Sequence, residues 1–302
     1  MLANKDYNLI IVLGPTASGK TRLGVGLARA LGGEIISADS RQVFRGMDIG
    51  TGKDLSEYGE IPCHLIDILD PGQEFSLFAF HRLFHQAFAE ISGRGRLPLL
   101  VGGAGLYLDA VIQGYQLVEA PEDPQLRKEL ADLSMEALRE RLVELNPRLH
   151  NTTDLLDRKR LIRAIEIAAR QPAGDWEPPA RIAPLIFGIR WERDVLRQRI
   201  SERLLARINE GMIEEAARLL DAGVPAASLD YYGLEYRYLV RHLKGELGKE
   251  EMVLTLNRAI NEFSRQQEKW FRRMERRGVQ INWLDGAADP LAQALELLGR
   301  AG

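Results

Sequence analysis

Cysteine is nearly absent from this chain, since Cys63 is the only one in 302 residues. One thiol excludes an intrachain disulfide framework and a cysteine-cluster zinc finger. Histidine is also scarce, with five in the chain and no H-E-x-x-H spacing among them. His81 and His85 are four residues apart on a predicted helix, but two exposed helical histidines without a third ligand more often have no metal role.

The chain also lacks a large excess of charge and a long hydrophobic run. Its formal net charge is -3, so a nucleic acid would have to bind at a local basic surface. No apolar run is long enough to span a membrane, and the N-terminus leaves no room for a signal peptide before the first motif. With 45% hydrophobic and 27% charged residues, the composition is typical of a soluble globular protein. We expect a cytoplasmic enzyme with no membrane partner.

An eight-residue motif directly after the apolar run Leu9–Leu13 indicates a ligand class. It reads G-P-T-A-S-G-K-T and consists of Gly14, Pro15, Thr16, Ala17, Ser18, Gly19, Lys20 and Thr21. The pattern matches a phosphate-binding loop between a buried strand and a helix, where backbone N–H groups and the helix N-terminus surround an anion. Lys20 is expected at the terminal phosphates, and the Thr21 hydroxyl is expected to hold Mg²⁺.

Strand and helix patterns alternate along much of the chain. Short apolar runs at Glu34–Ala38, Leu97–Val101 and Leu185–Arg190 predict strands, and periodic segments between them predict helices. Alternation of this kind predicts an α/β fold, here a P-loop parallel sheet flanked by helices.

A change in composition marks a candidate subdomain. Residues 121–184 are highly charged, helical in pattern and rich in proline towards their end. We therefore expect a helical insertion subdomain there, and a catalytic core formed by 1–120 and 185–302. Within the core, one helix or a pair is expected at Arg193–Ala222 and another helix at Lys249–Arg277.

Polar residues follow the second predicted strand directly. Because the carboxyl ends of parallel strands meet at one edge of a sheet, Gly14–Thr21, Asp39–Gln42 and Gly102–Leu106 should converge on one cleft. There Asp39 could accept a proton from an attacking amine or hydroxyl, and Gln42 could bond two adjacent atoms of an adenine edge. The alternative is that Asp39 caps the next turn or holds Mg²⁺ through water, and spacing alone does not separate these roles.

Three basic segments could form a local surface for a polyanion. Arg199, Arg203 and Arg207 are spaced i, i+4, i+8 on one predicted helix, where the bland alternative is a solvated face paired with neighbouring glutamates. Residues 158–163 and 269–277 are the other two segments. Each is weak by itself, but three such segments in an acidic-balanced chain indicate contact with a polyanion.

Several segments resemble one known family, the tRNA dimethylallyltransferases (isopentenyl-diphosphate:tRNA transferases). The most specific is D-S-R-Q-V-F-R-G-M-D-I-G-T, from Asp39 to Thr51, and His64–Pro71, Leu97–Gly103, Asp157–Ile167 and the phosphate loop also match. The resemblance implies transfer of a dimethylallyl group from dimethylallyl diphosphate to the exocyclic amine of the adenosine 3′ to the anticodon of tRNA. The phosphate loop would then bind a diphosphate leaving group, and no nucleotide would be hydrolysed.

The resemblance also implies roles for single residues. Asp39 is the general base, Thr16 contacts the bridging oxygen of the diphosphate, and Arg203 neutralises the leaving group together with Lys20 and Mg²⁺ at Thr21. The other two arginines of the basic stripe are expected to matter less. The implied partner is the anticodon stem-loop of tRNA, bound by a monomer. The implied tRNA contacts are Asp39, Ser40, Arg41, Gln42, Ala104, Arg127, Lys159, Arg160, Leu161, Ile162 and Arg163.

Two positions depart from the family pattern. Ala104 stands where members commonly have Thr, and Glu235 stands where they tend to have a basic residue. A carboxylate at 235 would repel a nearby phosphate, or else it faces water away from the RNA. Two alternatives remain: a P-loop small-molecule or nucleotide kinase, which shares the loop and a helical insert, and a non-catalytic RNA-binding paralogue.

Overall fold

The computed structural model of the chain describes residues 6–115, 117, 119–145, 155–170 and 181–300. They form two compact units, one within 1–114 and 179–302 and the other within 115–178. The second unit begins and ends six residues before the limits expected from composition, at 115 against 121 and at 178 against 184. The proline-rich loop expected at 171–184 lies largely outside the described residues.

The first unit contains a six-stranded sheet in the order β3-β2-β4-β1-β5-β6, and every neighbouring pair is parallel. This confirms the predicted P-loop α/β class. The strands are β1 (Leu9–Leu13), β2 (Gly33–Ala38), β3 (Cys63–His64), β4 (Leu97–Gly102), β5 (Pro184–Arg190) and β6 (Asn282–Asp285).

Helices flank the sheet and form the second unit. They are α1 (Lys20–Leu31), α2 (Leu77–Gly93), α3 (Gly105–Ile112), α4 (Pro124–Ala131), α5 (Met135–Leu145), α6 (Arg158–Ala168), α7 (Arg193–Asn209), α8 (Met212–Asp221), α9 (Ala226–Tyr231), α10 (Leu234–Leu243), α11 (Lys249–Arg276) and α12 (Pro290–Arg300). Gly211, with φ 100°, separates α7 from α8 because the left-handed region suits glycine. The sequence pattern over Arg193–Ala222 is therefore a pair of helices. In the described part of the chain, no helix is both long and apolar enough to cross a bilayer.

Alternate residues of β1 serve two separate cores. Leu9, Ile11 and Leu13 belong to a cluster that contains the aromatic side chains of α2, whereas Ile10 and Val12 pack with α1 and α12. All five are fully buried, which is why this strand is continuously apolar rather than alternating. Because both faces of β1 are buried, the position of the strand between the two cores is fixed. The position of the loop that leaves its carboxyl end is therefore fixed as well.

The second unit has a small core of its own. Helices α4 and α6 each begin at an aspartate whose side chain accepts backbone N–H groups, namely Asp123 and Asp157. Such caps satisfy donors that the first helical turn leaves unpaired. The core consists of Leu130, Leu138, Leu142, Leu161 and Ile165.

Candidate active site

The phosphate loop turns sharply between β1 and α1. Ala17 and Gly19 have φ values of 61° and 87°, so the loop curls back and its backbone N–H groups surround the start of α1. At Gly14, a β-carbon would come within 2.5 Å of the Ser18 hydroxyl, so only glycine fits there. The glycines of the motif therefore have a steric reason, and the arrangement is one that binds phosphate.

Side chains from the second half of the chain hold this loop from outside. The indole N–H of Trp191 donates to the Ser18 carbonyl at 3.0 Å, and Arg199 Nε donates to the Ala17 carbonyl at 3.0 Å. The Arg199 guanidinium also lies over the Trp191 ring, 4.1 Å from its centroid. Sequence reasoning missed Trp191, since a lone tryptophan carries no motif.

An amide from α11 joins the loop to the end of β4. Gln267 Oε1 accepts the Thr16 N–H at 2.8 Å, and its Nε2 donates to the Gly103 carbonyl at 3.0 Å. Gln267 is 6% exposed, so these bonds are sheltered from water. This residue also went unpredicted, because a glutamine within a charged helix gives no signal in the sequence.

A cleft of about 690 Å³ opens at the carboxyl ends of the strands. It is lined by the phosphate loop, by Asp39–Gln42 after β2 and by Gly102–Ala104 after β4. The structure thus brings together the three segments that were expected to meet at the carboxyl ends of the strands. All lining residues belong to the first unit, and the volume is in the range of small-molecule sites.

Lys20 points its amine into a positively charged part of this cleft. Burial and, after it, the charge of Arg203 together lower the pKa of Lys20 to about 8, while Asp39 opposes the shift. An ammonium that is held unfavourably among cations gains most from an anion. The site is therefore prepared for a polyanionic ligand such as a diphosphate.

Asp39 serves the turn and the cleft at the same time. Its Oδ1 accepts the Arg41 backbone N–H at 2.8 Å, which is the capping role that the sequence left open. The other carboxylate oxygen has no hydrogen-bond partner among the residues that the structure describes, and the side chain lines the cleft. The two interpretations of Asp39 are compatible, because each uses a different oxygen.

Gln42 lines the cleft and is hydrogen-bonded within the protein. It is 9% exposed; its Nε2 donates to the Gly52 carbonyl at 3.0 Å, and its Oε1 accepts the Ser37 hydroxyl at 3.1 Å. Each polar end of the amide therefore has one protein partner, and the residue ties the loop to β2. Base reading by Gln42 stays a prediction, and it would use the second N–H and the second lone pair.

Two exposed aromatic side chains lie at the cleft. Tyr231 and Phe263 are 57% and 43% exposed, and both line the cleft. The guanidinium of Arg41 lies 5.0 Å from the centre of the Tyr231 ring. Exposed rings beside a cationic side chain are suited to stacking on unpaired bases. No sequence pattern singled out these rings.

The loop after Asp39 is fixed by a buried carboxylate. Glu215, on α8, accepts backbone N–H groups of Asp48, Ile49 and Gly50 at 2.8–2.9 Å, together with the Tyr236 hydroxyl at 2.6 Å. Four donors on one carboxylate leave it fully satisfied, so it forms a rigid anchor.

A buried lysine joins two of the family-like segments. Lys53 has no exposed side-chain surface, and its ammonium binds the Asp48 carboxylate at 2.6 Å, the Phe44 carbonyl at 2.6 Å and the Asp67 carboxylate. Asp48 belongs to the segment 39–51 and Asp67 to the segment 64–71. The two segments are therefore parts of one folded loop system under the cleft.

The arginine stripe of α7 is not a solvated surface face, which was the alternative to a binding role. Arg203 forms an ion pair with Asp54, and Arg207 is only 8% exposed. Both line the cleft, as does Arg199. Three successive turns of one helix thus present cations to the same site, which the sequence could not distinguish from a surface stripe.

Glu235 and Ala104 can now be placed. Glu235 lines the cleft near Arg207, and burial raises its pKa although the Arg207 charge opposes this. The alternative that Glu235 faces water away from the site does not match its place in the cleft. Ala104 is the N-cap of α3 and makes no side-chain cap, so the first turn of this helix receives no hydroxyl at that position.

The predicted tRNA contacts of the second unit divide into two groups. Arg127 of α4 and Arg163 of α6 both bind the buried carboxylate of Glu166 on α6, at 2.7 and 3.0 Å, and the Arg127 pair holds α4 to α6. Leu161 is fully buried in the core of this unit, and its predicted RNA contact is wrong for the side chain. The exposed candidates are Lys159 and Arg160, and Ile162 is half-buried.

The histidine pair is buried, contrary to the expectation of exposed side chains. His81 and His85 are 3% and 8% exposed, and their Nε2 atoms lie 3.2 Å apart. Burial lowers the pKa of His81 to about 4. Among the described residues there is no group of three or more histidine, cysteine or acidic side chains placed to hold a metal.

The oxygen donors beside the phosphate loop fit Mg²⁺ bound partly through a phosphate ligand. Thr21, Asp39 and Glu57 line the cleft together, and the buried Ser18 hydroxyl has no hydrogen-bond partner among the described residues. Mg²⁺ prefers oxygen ligands and keeps several waters or substrate oxygens. A site with few protein ligands therefore agrees with this cation.

Family models match two overlapping parts of the chain. The model described as IPP transferase matches residues 42–274, and the model described as isopentenyl transferase matches residues 7–60. A tRNA dimethylallyltransferase of Geotalea daltonii is 61% identical over 294 residues, covering 97% of this chain and 95% of that protein. Another, of Syntrophotalea carbinolica, is 61% identical over 292 residues, covering 96% and 98%.

Solved structures give the same picture. The full-length tRNA isopentenylpyrophosphate transferase of Bacillus halodurans superposes with a TM-score of 0.72 at 36% identity, covering 97% of this chain and 95% of that one. A eukaryotic dimethylallyltransferase acting on tRNA gives a TM-score of 0.80 at 21% identity, with coverage of 97% and 78%. At that identity the second likeness concerns the fold alone.

Proposed function

This chain belongs to the IPP transferase family, and we propose that it transfers a dimethylallyl group from dimethylallyl diphosphate to the exocyclic amine of the adenosine 3′ to the anticodon in tRNA. The observation that carries the proposal is the cleft in which a phosphate loop and the carboxylate of Asp39 lie together. One side of the cleft takes a diphosphate, and the other offers a base to a nucleophile.

The reaction needs help at the nucleophile. An adenine amine is weakly nucleophilic because its lone pair is delocalised into the ring. As the C–N bond forms and the C–O bond to the diphosphate breaks, Asp39 takes the amine proton on the oxygen that is not bound to the Arg41 N–H. The capping bond holds the carboxylate in place, so its position is set before substrate binds.

The leaving group gathers negative charge during the same step. Lys20, Arg203 and the backbone N–H groups of the phosphate loop stabilise that charge, and Thr16 contacts the bridging oxygen. These groups act more strongly in the transition state than in the ground state, which is the requirement for a rate effect. Mg²⁺ held through Thr21 supplies further charge neutralisation when it is bound.

The cleft has an apolar side for the five-carbon tail. Ile260, Phe263 and Leu234 line it together with the charged groups. Apolar lining beside the phosphate loop suits a prenyl diphosphate better than a nucleoside triphosphate. In addition, β4 ends at Gly102 and is followed by Gly103, so it carries no acid of the kind that nucleotide hydrolases place at a strand end. These features favour prenyl transfer over the kinase alternative.

The target adenosine must leave its stack to reach Asp39. The exposed rings of Tyr231 and Phe263 at the cleft are suited to flanking an extruded base. The anticodon stem-loop is the proposed partner, with Lys159 and Arg160 as phosphate contacts from the second unit, Ser40 and Arg41 at the cleft, and a cytoplasmic monomer as the acting species.

A direct assay tests the proposal. The purified chain is incubated with dimethylallyl diphosphate, Mg²⁺ and unmodified tRNA, and the digested nucleosides are analysed by mass. A single adenosine gaining one dimethylallyl group supports it, and loss of that product with Asp39→Asn ties the activity to the cleft. Consumption of ATP with no change in tRNA mass would instead favour the kinase.

A further inference from the structure

Arg207 is a second guanidinium deep in the cleft, one helical turn after Arg203. It is 8% exposed, and its Nη2 atom is buried without a hydrogen-bond partner among the described residues. Burial lowers the pKa of Arg207, and the charge of Arg203 acts in the same direction. A buried guanidinium N–H that the protein leaves unpaired is unfavourable unless a ligand uses it.

The environment of Arg207 points its charge towards the diphosphate site. Its Nη2 lies 3.8 Å from Asp54 Oδ2, the same oxygen that Arg203 Nη2 binds. The guanidinium packs against the backbone at Gly52, where a β-carbon would collide with it. An anionic oxygen in the place of Asp54 Oδ2 would therefore lie within reach of both arginines.

The charges of the cluster converge on the phosphate loop. The positive charges of Arg203 and Arg207 both lower the pKa of Lys20, after the larger effect of burial. Asp39 and Asp54 partly balance the charge of Lys20, and Asp54 and Glu235 partly balance that of Arg207. The Asp54–Arg203 pair is about one-third exposed on each side chain, so water screens it and a more highly charged anion can replace the carboxylate.

We propose that Arg207 acts with Arg203 on the diphosphate. In this proposal Asp54 is the counter-ion of both arginines in the free protein, and the diphosphate takes its place. The inference rests on the proposed function and deepens it. In the free protein, Asp54 holds the arginines in position; in the complex, two guanidiniums instead of one donate to the leaving group. Arg207 is then a further catalytic residue, although the family resemblance singled out Arg203 and implied a lesser role for Arg207.

A simpler role for Arg207 is to neutralise Glu235, which lies near it in the cleft. The two roles predict different results when the charge of Glu235 is removed together with that of Arg207. If Arg207 only balances Glu235, removing both charges restores function. If Arg207 binds diphosphate, the double variant stays impaired.

Binding of inorganic diphosphate to the full chain, measured by calorimetry, tests the proposal without requiring transfer. We expect Arg207→Met to weaken binding at least tenfold, Arg207→Lys to retain part of the affinity, and Arg207→Met with Glu235→Gln to remain as weak as the single variant. Asp54→Asn should bind diphosphate more tightly than the wild type. Arg197→Met is the control, since Arg197 lies on the same helix and pairs with Asp194 on the exposed surface.

Single-turnover transfer at saturating donor gives the second measurement. Arg207→Met should slow it by about 10- to 100-fold, within the range for loss of one donor to a developing anion. Wild-type affinity and rate in the double variant would overturn the proposal, and so would weaker diphosphate binding by Asp54→Asn. If the wild type transfers nothing yet binds diphosphate through Arg207, the proposed function fails and this inference stands. If Arg207→Met does not fold, the Lys and double variants decide.

Discussion

At the scale of single residues, the two carboxylate oxygens of Asp39 have different roles, one in positioning and the other in proton transfer. Asp39 uses Oδ1 to cap a turn at 2.8 Å and leaves the other oxygen for a proton. An amide has one carbonyl oxygen that can keep the cap, but it has no basic oxygen for the proton. Substitution by Asn or by Ala therefore distinguishes the two roles.

We expect Asp39→Asn to fold normally and to bind diphosphate as the wild type does, but to lower turnover by about 10²- to 10⁴-fold, the usual worth of a positioned base. Single-turnover kinetics with saturating donor and tRNA measure this. A wild-type rate for Asn together with a slow Ala variant would mean that Asp39 acts only as a cap.

The titration of Lys20 predicts a pH dependence of diphosphate binding. Its pKa is lowered to about 8 in the free protein, and a bound anion raises it, so binding is strongest where Lys20 is already protonated. Affinity should be steady below about pH 8 and fall by about tenfold per pH unit above it, until the pKa of the complex is reached. Calorimetry from about pH 7 to 10 measures this. Lys20→Arg should flatten the fall, and an equally steep fall in that variant would contradict the assignment.

At the scale of elements, the loop after β2 holds Asp39 while α1 and α7 carry Lys20 and Arg203, and buried charges make the loop after β2 rigid. Lys53 is enclosed by two carboxylates and a carbonyl, and Glu215 takes four donors. Groups of this kind are costly to break, because the remaining partners lose their bonds. The loop between β2 and β3 should therefore be part of the cooperative fold.

Lys53→Met should lower the free energy of unfolding by about 3 kcal/mol, as expected when one partner of a buried ionic group is removed. Urea denaturation measures this. Arg45→Met is the matched control from the same loop, because its pair with Asp70 is more than half exposed on both sides and should be worth less than about 1 kcal/mol. Equal losses in both variants would show that the buried site adds no stability.

At the scale of the whole molecule, tRNA binding must use local basic surfaces, because the net charge is -3. Ion pairing to Glu166 occupies Arg127 and Arg163 in the second unit, while Lys159 and Arg160 are exposed. The contribution of this unit to RNA affinity should therefore come from the second pair of residues.

Affinity for tRNA should fall as salt rises, because each phosphate contact releases counterions. Replacing Lys159 and Arg160 together by Ala should reduce the slope of log affinity against log salt by about 1 to 2. Filter binding across a salt series measures both slopes. Lys128→Ala serves as the control, since Lys128 is exposed on the same unit and is not a predicted contact. An unchanged slope in the double variant would remove the two residues from the RNA surface.

The sequence by itself determined the parallel α/β class, the phosphate loop and the acid after β2. Each of these features depends on residues that are contiguous in the chain. An apolar, β-branched run such as Leu9–Leu13 forms a buried strand. The glycines of the phosphate loop are required by the local backbone geometry. Because the carboxyl ends of parallel strands share one edge of the sheet, the sequence also predicted that the loops after β1, β2 and β4 meet.

Only the tertiary structure decided which charges face the ligand. A stripe at i, i+4, i+8 has the same spacing whether it is solvated or lines a cleft, so the burial of Arg207 depends on Gly52 and Asp54, which lie more than 140 residues away in the chain. In the same way, Gln267 and Trp191 reach the phosphate loop across 251 and 173 residues. Contacts between distant residues leave no local pattern, because they are selected by packing of the whole unit rather than by the conformational preferences of neighbours along the chain.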